Sequence, residues 1–328
     1  MVNLQTKYLG LNLKNPLIVG SSGLTDNVES IKELADAGAG AVVIKSLFEE
    51  QIRMDITEAN GSYDPIHQHV EAADYQIFFE TQYKVEQYLK LISGAKEAVD
   101  IPIIASVNCS SADNWTNFAR KIETAGADAL ELNIFLLPSD PKKSADEIKK
   151  IYFDIVRKVT NTTNIPISVK LGSYFDNLAG MLQKVSRTKV AGLVLFNRFY
   201  TPDIDLEKEE LVVNNYLTTN DDKANTLRWI GIMKDLVDCD LAASTGIHTA
   251  EDLIKMILVG ADAVQMVSAI YEKSPAYITE VLQQVSTWMD KHGYASIADF
   301  KGKLSKVTSG NDAMYERVQF MRYFGTKK

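Results

Sequence analysis

Residues 124–134 read TAGADALELNI, and residues 36–46, 189–197 and 259–269 repeat the same grammar as DAGAGAVVIKS, KVAGLVLFN and VGADAVQMVSA. Each has a glycine where a helix would stop, small residues after it, and a short apolar run ending near a polar side chain. Glycine at a helix C-terminus accepts the left-handed conformation. An apolar run without alternation suits a strand buried on both faces. Four copies in one chain point to repeated helix-to-strand joints. Two more segments place a proline where a strand begins, IPIIASVN (101–108) and IPISVKL (165–171), and PLIVGSS (16–22) and LAASTGI (241–247) complete a set of eight.

Helical patterns lie between these runs. DEIKKIYFDIVRKVT (146–160) presents Ile148, Ile151, Tyr152, Ile155 and Val159 on one face, and Ser144 followed by Glu147 reads as a capping box. AEDLIKMILVG (250–260) repeats the theme, with Thr249 before it and Gly260 at its end. Strands that alternate with helices form a parallel sheet, because successive parallel strands need crossover connections. Eight such units predict an α/β fold, a (β/α)8 TIM barrel, with an open doubly wound sheet as the alternative. No Gly-x-Gly-x-x-Gly follows any strand, which counts against a dinucleotide fold. Without a proline-, serine- or charge-rich divider, residues 1–328 read as a single domain. NLQTKYLGLNLKN (3–15) reads as a hairpin that plugs the lower end of the barrel. Long loops follow strand 2 (about 47–77) and strand 6 (199–225), on the face where barrels build their sites.

Composition narrows the partners. With 328 residues, 46% of them hydrophobic and 24% charged, the chain is of ordinary globular type. Asp and Glu outnumber Lys and Arg by 43 to 35, so attraction to a phosphate backbone is lacking and no nucleic-acid partner is expected. No basic-then-apolar leader opens the chain, and no run approaches the roughly 18 apolar residues of a membrane span. No membrane association is therefore expected, and a cytoplasmic location is. Only Cys109 and Cys239 are present, too few for a disulfide framework, a thiolate zinc site or an iron–sulfur cluster of the chain's own. His67 and His69 read as solvated loop residues, so no metal site is expected.

The chemistry should sit where polar residues close the strands: Ser21, Ser22, Lys45, Ser46, Asn108, Cys109, Asn133, Lys170, Asn197, Ser244, Thr245, Gly246, Val267 and Ser268. In a barrel these ends converge on one mouth. A lysine there can bind an anion, form a Schiff base or stabilise negative charge on a cofactor. The small residues around 244–246 and 267–268 let oxygens approach backbone N–H groups, so strands 7 and 8 are expected to hold a phosphate. From these residues alone two readings stay open: a cofactor-bearing barrel, and a non-redox lyase or isomerase working on a sugar phosphate through Lys170.

At these positions the chain resembles the dihydroorotate dehydrogenase family, closest to its soluble class 1 branch. The motifs are LGLNLKNPLIVGSSG (9–23), Lys45-Ser46, ELN (131–133), SVK (168–170), Asn197, the STGI turn (244–247), GADAVQMVSA (260–269) and YASIADFKGKL (294–304), in family order. The resemblance implies an FMN-binding barrel that oxidises dihydroorotate, or a related small dihydropyrimidine or enone, by hydride transfer to flavin N5. It places Ser21, Ser22, Lys45 and Ser46 along the ring and ribityl side, and Lys170 beside the pyrimidine edge, where it stabilises the reduced form. Ser244, Thr245, Gly246, Val267 and Ser268 fall at the phosphate. Asn133 and Asn197, with Lys45 and Asn108, fall at the substrate, and Asn133 at the cofactor as well. The resemblance also implies a homodimer and, since the chain has no cluster of its own, a soluble acceptor or an electron-accepting partner subunit. One element departs from the pattern. The family's strand-4 loop carries a Cys or Ser base, whereas here the loop reads Asn133-Ile-Phe-Leu136-Leu-Pro138-Ser139. Cys109 and Ser139 are the candidates to replace it, and a chain that holds FMN without catalysis is the reading if neither does.

Overall fold

The computed structural model describes residues 2–48, 70–108, 115–198, 201–214, 216–310 and 312–316. It opens with an antiparallel hairpin, β1 (Thr6–Tyr8) and β2 (Leu11–Leu13), which turns through Leu9 and Gly10. The next strands are β3 (Leu17–Val19), β4 (Ala41–Val43), β5 (Leu47–Phe48), β6 (Ile103–Asn108) and β7 (Ala129–Ile134). They are followed by β8 (Ile167–Leu171), β9 (Gly192–Leu195), β10 (Thr201–Asp205), β11 (Glu210–Asn214), β12 (Asp240–Ala243) and β13 (Ala263–Met266). Eight of them, β3, β4, β6, β7, β8, β9, β12 and β13, pair in parallel in that order, and β13 pairs back to β3. The sheet is therefore a closed (β/α)8 barrel, and β5 extends the edge of β6. The eight apolar runs of the sequence are its eight staves.

Local sequence explains how the helices are set. Ser144 and Glu147 cap the helix Ala145–Thr160 reciprocally, and Tyr152, Ile155, Val156 and Val159 form its buried face. Thr249 and Asp252 cap Ala250–Val259, which ends on Gly260 at φ 119°. Gly38 and Gly126 likewise take positive φ at helix-to-strand joints. The fourth glycine of the repeat, Gly192, is different. It lies within β9, and a Cβ there would stand 2.6 Å from Leu9 Cδ2. Its smallness makes room for the hairpin and does not stop a helix.

That hairpin plugs the lower end of the barrel. Tyr8, Leu9 and Leu13 pack with Ile18, Val43, Ile104 and Val194 in an inner apolar cluster, and Leu9 N donates to Asp240 Oδ2 at 2.7 Å. A larger cluster fills the layer between staves and helices. The segment after β9 is more ordered than a loop: β10 and β11 form an antiparallel ribbon in which Ile204 faces Leu211 and Pro202 faces Val213. Of the long segment after β4, residues 49–69 lie outside the described part, including His67 and His69; the helix Val70–Ala98 begins within the span read as loop. Among the described residues no helix is long and apolar enough to cross a membrane.

Candidate active site

Side chains alternate along a strand, so every second residue of each stave points into the barrel. On β7 this brings Glu131 and Asn133 inward, on β8 Ser168 and Lys170, and on β13 Gln265. All five are buried. The Lys170 ammonium donates to Gln265 Oε1 at 2.9 Å, and the Gln265 amide donates to Glu131 Oε2 at 2.6 Å. Glu131 Oε1 lies 3.9 Å from Lys170 Nζ and accepts no hydrogen bond. The carboxylate makes itself felt at a distance. Burial, followed by the Glu131 charge, pushes the Tyr8 phenol well above its usual range. Tyr88 is also raised, by burial above all.

Nearer the mouth, Asn197 donates its amide N–H to Asn133 Oδ1, so the two amides flank the Lys170 stave as a joined pair. On the opposite wall the hydroxyls of Ser21, Ser46 and Ser106 form a chain, 3.0 Å from Ser21 to Ser46 and 2.6 Å from Ser46 to Ser106. The Tyr88 hydroxyl supports it by accepting from Ser106 N and donating to Ser106 O, both at 2.7 Å. Asn108, at the end of β6, is buried. Ser22 is spent locally, its hydroxyl accepting from Leu24 N to cap a short turn. Lys45 stands apart: its side chain is 48% exposed and lies 3.6 Å from Asp26.

The ends of β12 and β13 form a second polar region. Thr245 and Gly246 both take positive φ, 82° and 77°, a run in which backbone N–H groups can turn toward one point. A Cβ on Gly246 would meet Lys223 N at 2.2 Å, so the helix Lys223–Met233 begins against this turn. Ser268 Oγ accepts from both Thr218 N and Thr218 Oγ1 at 2.9 Å, and His248 Nε2 lies 3.0 Å from the Thr218 hydroxyl. Ser244 is buried beside it, and Val267 packs where Gly20 leaves space.

The loop after β7 is largely exposed. Leu136 packs half-buried against the core, and Leu137, Pro138 and Ser139 are exposed. Cys109 lies outside the described residues. Sequence reasoning found the strand-end groups but missed Glu131, Gln265, Ser106 and Thr218. The first three did carry a signal, a polar residue inside an apolar run, and Glu131 and Ser106 also stand two positions before the strand-end Asn133 and Asn108, on the same inward face. A cavity of about 530 Å³ also exists on the outer flank, walled by Leu227, Leu258, Leu304 and Tyr315, and no strand-end candidate lines it. Among the described residues no group of three metal-binding side chains comes together.

Polar side chains gathered at the carboxyl ends of a closed parallel barrel define an enzyme of the (β/α)8 class, with its site on that face. Comparison with known proteins narrows the class. The family model for dihydroorotate dehydrogenase matches residues 79–289, a span that holds six of the eight staves, and the chain belongs to that family. It is similar to the catalytic subunit of dihydroorotate dehydrogenase B (NAD(+)) from Thermoplasma acidophilum, 28% identical over 316 residues, 92% of this chain and 99% of the relative. The corresponding subunit from Staphylococcus carnosus is 25% identical over 327 residues, 94% and 99% of the two chains. A putative dihydroorotate dehydrogenase A (fumarate) from Aeropyrum pernix is 27% identical over 225 residues, 65% and 71%. Membership of a dehydrogenase family leaves the sugar-phosphate lyase reading without support.

Proposed function

We propose that this chain is an FMN-dependent dehydrogenase that oxidises dihydroorotate or a closely related small dihydropyrimidine. The observation that carries the reading is the buried Lys170 ammonium beside the Asn133–Asn197 pair, at the mouth of a barrel belonging to this family. The residues present fit FMN. A buried cation with open N–H groups suits the electron-rich pyrimidine edge, and the Ser21–Ser46–Ser106 chain suits the polar ring and ribityl groups. The turn at Thr245–Gly246, with Val267 and Ser268, suits a phosphate. When bound, FMN supplies the acceptor for the substrate hydride.

The chain's own groups do the rest. Lys170 places positive charge where negative charge develops, an effect worth on the order of 10²-fold in rate when such a group is removed. Asn133 and Asn197 hold the substrate's amide edge, and a ligand that leaves such buried amides unpaired is rejected. As the CH–CH bond becomes C=C, one carbon gives up a hydride and its neighbour a proton. Leu136 cannot take that proton. We assign the role to Cys109, which follows the buried Asn108 directly in sequence, over Ser139 on its exposed loop. The relatives include the catalytic subunit of an NAD(+) dihydroorotate dehydrogenase and a putative fumarate one. We extend to this chain a separate acceptor for its electrons, soluble or carried by a partner subunit, and a second copy of itself in a homodimer.

The test is anaerobic mixing of the FMN-loaded chain with dihydroorotate. The yellow absorbance is expected to bleach, more slowly by on the order of 10²-fold in Lys170→Met. Cys109→Ala is expected to abolish bleaching while Ser139→Ala leaves it unchanged. Failure to take up FMN removes the cofactor; reduction by dithionite alone keeps the cofactor and removes the substrate.

A further inference from the structure

Two buried residues assigned no part so far determine where the Lys170 charge sits. Lysine offers only donors and a carboxylate only acceptors, so the amide between them can take one orientation, oxygen toward Lys170 and nitrogen toward Glu131. The distances agree with that orientation, 2.9 Å and 2.6 Å. Gln265 comes from β13, across the barrel from Glu131 on β7 and Lys170 on β8, so its amide spans the interior. This leaves Lys170 further N–H groups for a ligand at the mouth. Glu131 Oε1 meanwhile stays unbonded, though it is 1% exposed and 3.9 Å from the ammonium. A carboxylate oxygen so placed is a second, deeper seat for the ammonium, and Gln265 keeps Lys170 from taking it.

We propose that Gln265 and Glu131 are positioning residues for Lys170: Gln265 props the ammonium toward the mouth, and Glu131 supplies the counter-charge that tempers its field there. The proposal rests on the FMN reading and goes beyond it, because it predicts effects of opposite sign. Gln265→Leu removes the prop, and Lys170 closes onto Glu131 as a direct pair, which withdraws positive charge from the mouth. Glu131→Gln leaves the prop and removes the opposing charge.

The experiment measures the reduction potential of bound FMN by dye equilibration in wild type, Gln265→Leu, Glu131→Gln and Lys170→Met. Gln265→Leu is expected to shift the reduction equilibrium on the order of tenfold toward oxidised flavin, about 30 mV for a two-electron couple. Lys170→Met should shift it the same way, and Glu131→Gln should shift it toward reduced flavin. Shifts of the same sign in the Gln265 and Glu131 variants, as a collapsed pocket would give, or no shift in either, overturn the proposal. If no form of the protein holds FMN, the flavin reading fails by itself, and the positioning is read in the flavin-free chain. There, acylation of the Lys170 amine by a small reagent should slow several-fold in Gln265→Leu and not in Glu131→Gln; equal rates overturn the proposal with or without flavin.

Discussion

At the scale of single residues, burial decides which polar groups are reactive. Burial and then the charges of Asp240, Asp262 and Asp238 push the Cys239 thiol up to about 12. Since the thiolate is the nucleophile, Cys239 should be inert at neutral pH. With two cysteines in all, the folded chain should show at most one fast thiol toward iodoacetamide at pH 8, and two once denatured. Two fast thiols in the native protein would refute this; one isolates Cys109 for the proton-transfer test. Gly192 makes the complementary point about space. A methyl group there would stand 2.6 Å from Leu9 Cδ2 and 3.3 Å from Asp240 O, with Leu9 itself buried. Gly192→Ala is expected to cost about 1–3 kcal/mol, read as a lower urea midpoint at unchanged slope. The inner polar residues were legible in part. Lys170, Asn133 and Asn197 stood out because they close apolar runs, whereas Glu131 and Gln265 lie inside such runs, where a polar residue reads as an interruption. Only the closed barrel brings strands 134 positions apart close enough for their side chains to bond.

Elements are held by caps that also join neighbours. Asp252 caps the helix Ala250–Val259, accepting from His248 N at 3.1 Å and Thr249 N at 3.0 Å. It also accepts from Asn220 Nδ2 at 2.7 Å and lies 3.1 Å from Lys223 Nζ, so it ties the segment over the β12–β13 mouth to the barrel. Burial by itself raises this carboxyl, but the Lys223 ammonium, the His248 N–H and the Thr249 side chain outweigh it and hold it below the usual range. A carboxyl depressed in the folded state contributes stability that is full above its unfolded value of about 4 and lost as pH falls through the folded one. Asp252→Ala should therefore cost about 1–3 kcal/mol at pH 7, since it removes the helix cap and takes the carboxylate from half-buried Lys223, whose ammonium keeps Asn220 O at 2.8 Å. The difference from wild type should shrink in urea titrations below pH 4; a gap constant with pH would contradict it. Most elements were legible in the sequence because each stave announces itself with a helix stop and an apolar run. The ribbon after β9 was not. Residues 199–225 read as a long loop and the acidic run Asp205–Glu210 as its solvated face, because Pro202 and the charged turn Leu206-Glu-Lys-Glu209 obscure the short alternation Pro202-Asp-Ile204-Asp205.

At the scale of the whole molecule, that ribbon is the feature the single chain leaves unfinished. Pro202, Ile204, Leu211 and Val213 share one face of it, with Ile204 58%, Leu211 79% and Val213 65% exposed. A two-stranded ribbon is marginal alone in water and gains stability when its apolar face is packed. Leu206 in the turn and Tyr216 beyond β11 are water-facing as well. The ribbon follows a stave on the active-site face, so whatever covers it would stand beside the mouth. A second copy can cover it about a two-fold axis, each apolar face meeting the other, the commonest symmetry of soluble assemblies. Light scattering on the wild-type chain should then give a mass near twice 36.5 kDa. Leu211→Glu with Val213→Glu buries two unpaired charges in that contact and should weaken it by on the order of 10²-fold or more, leaving single chains at micromolar concentration. Barrel folding should be unchanged, because neither residue belongs to the core. A wild type that stays single at all concentrations would rule out the self-contact and leave the face to an electron-accepting partner; a double variant that stays dimeric would move the interface elsewhere on the barrel.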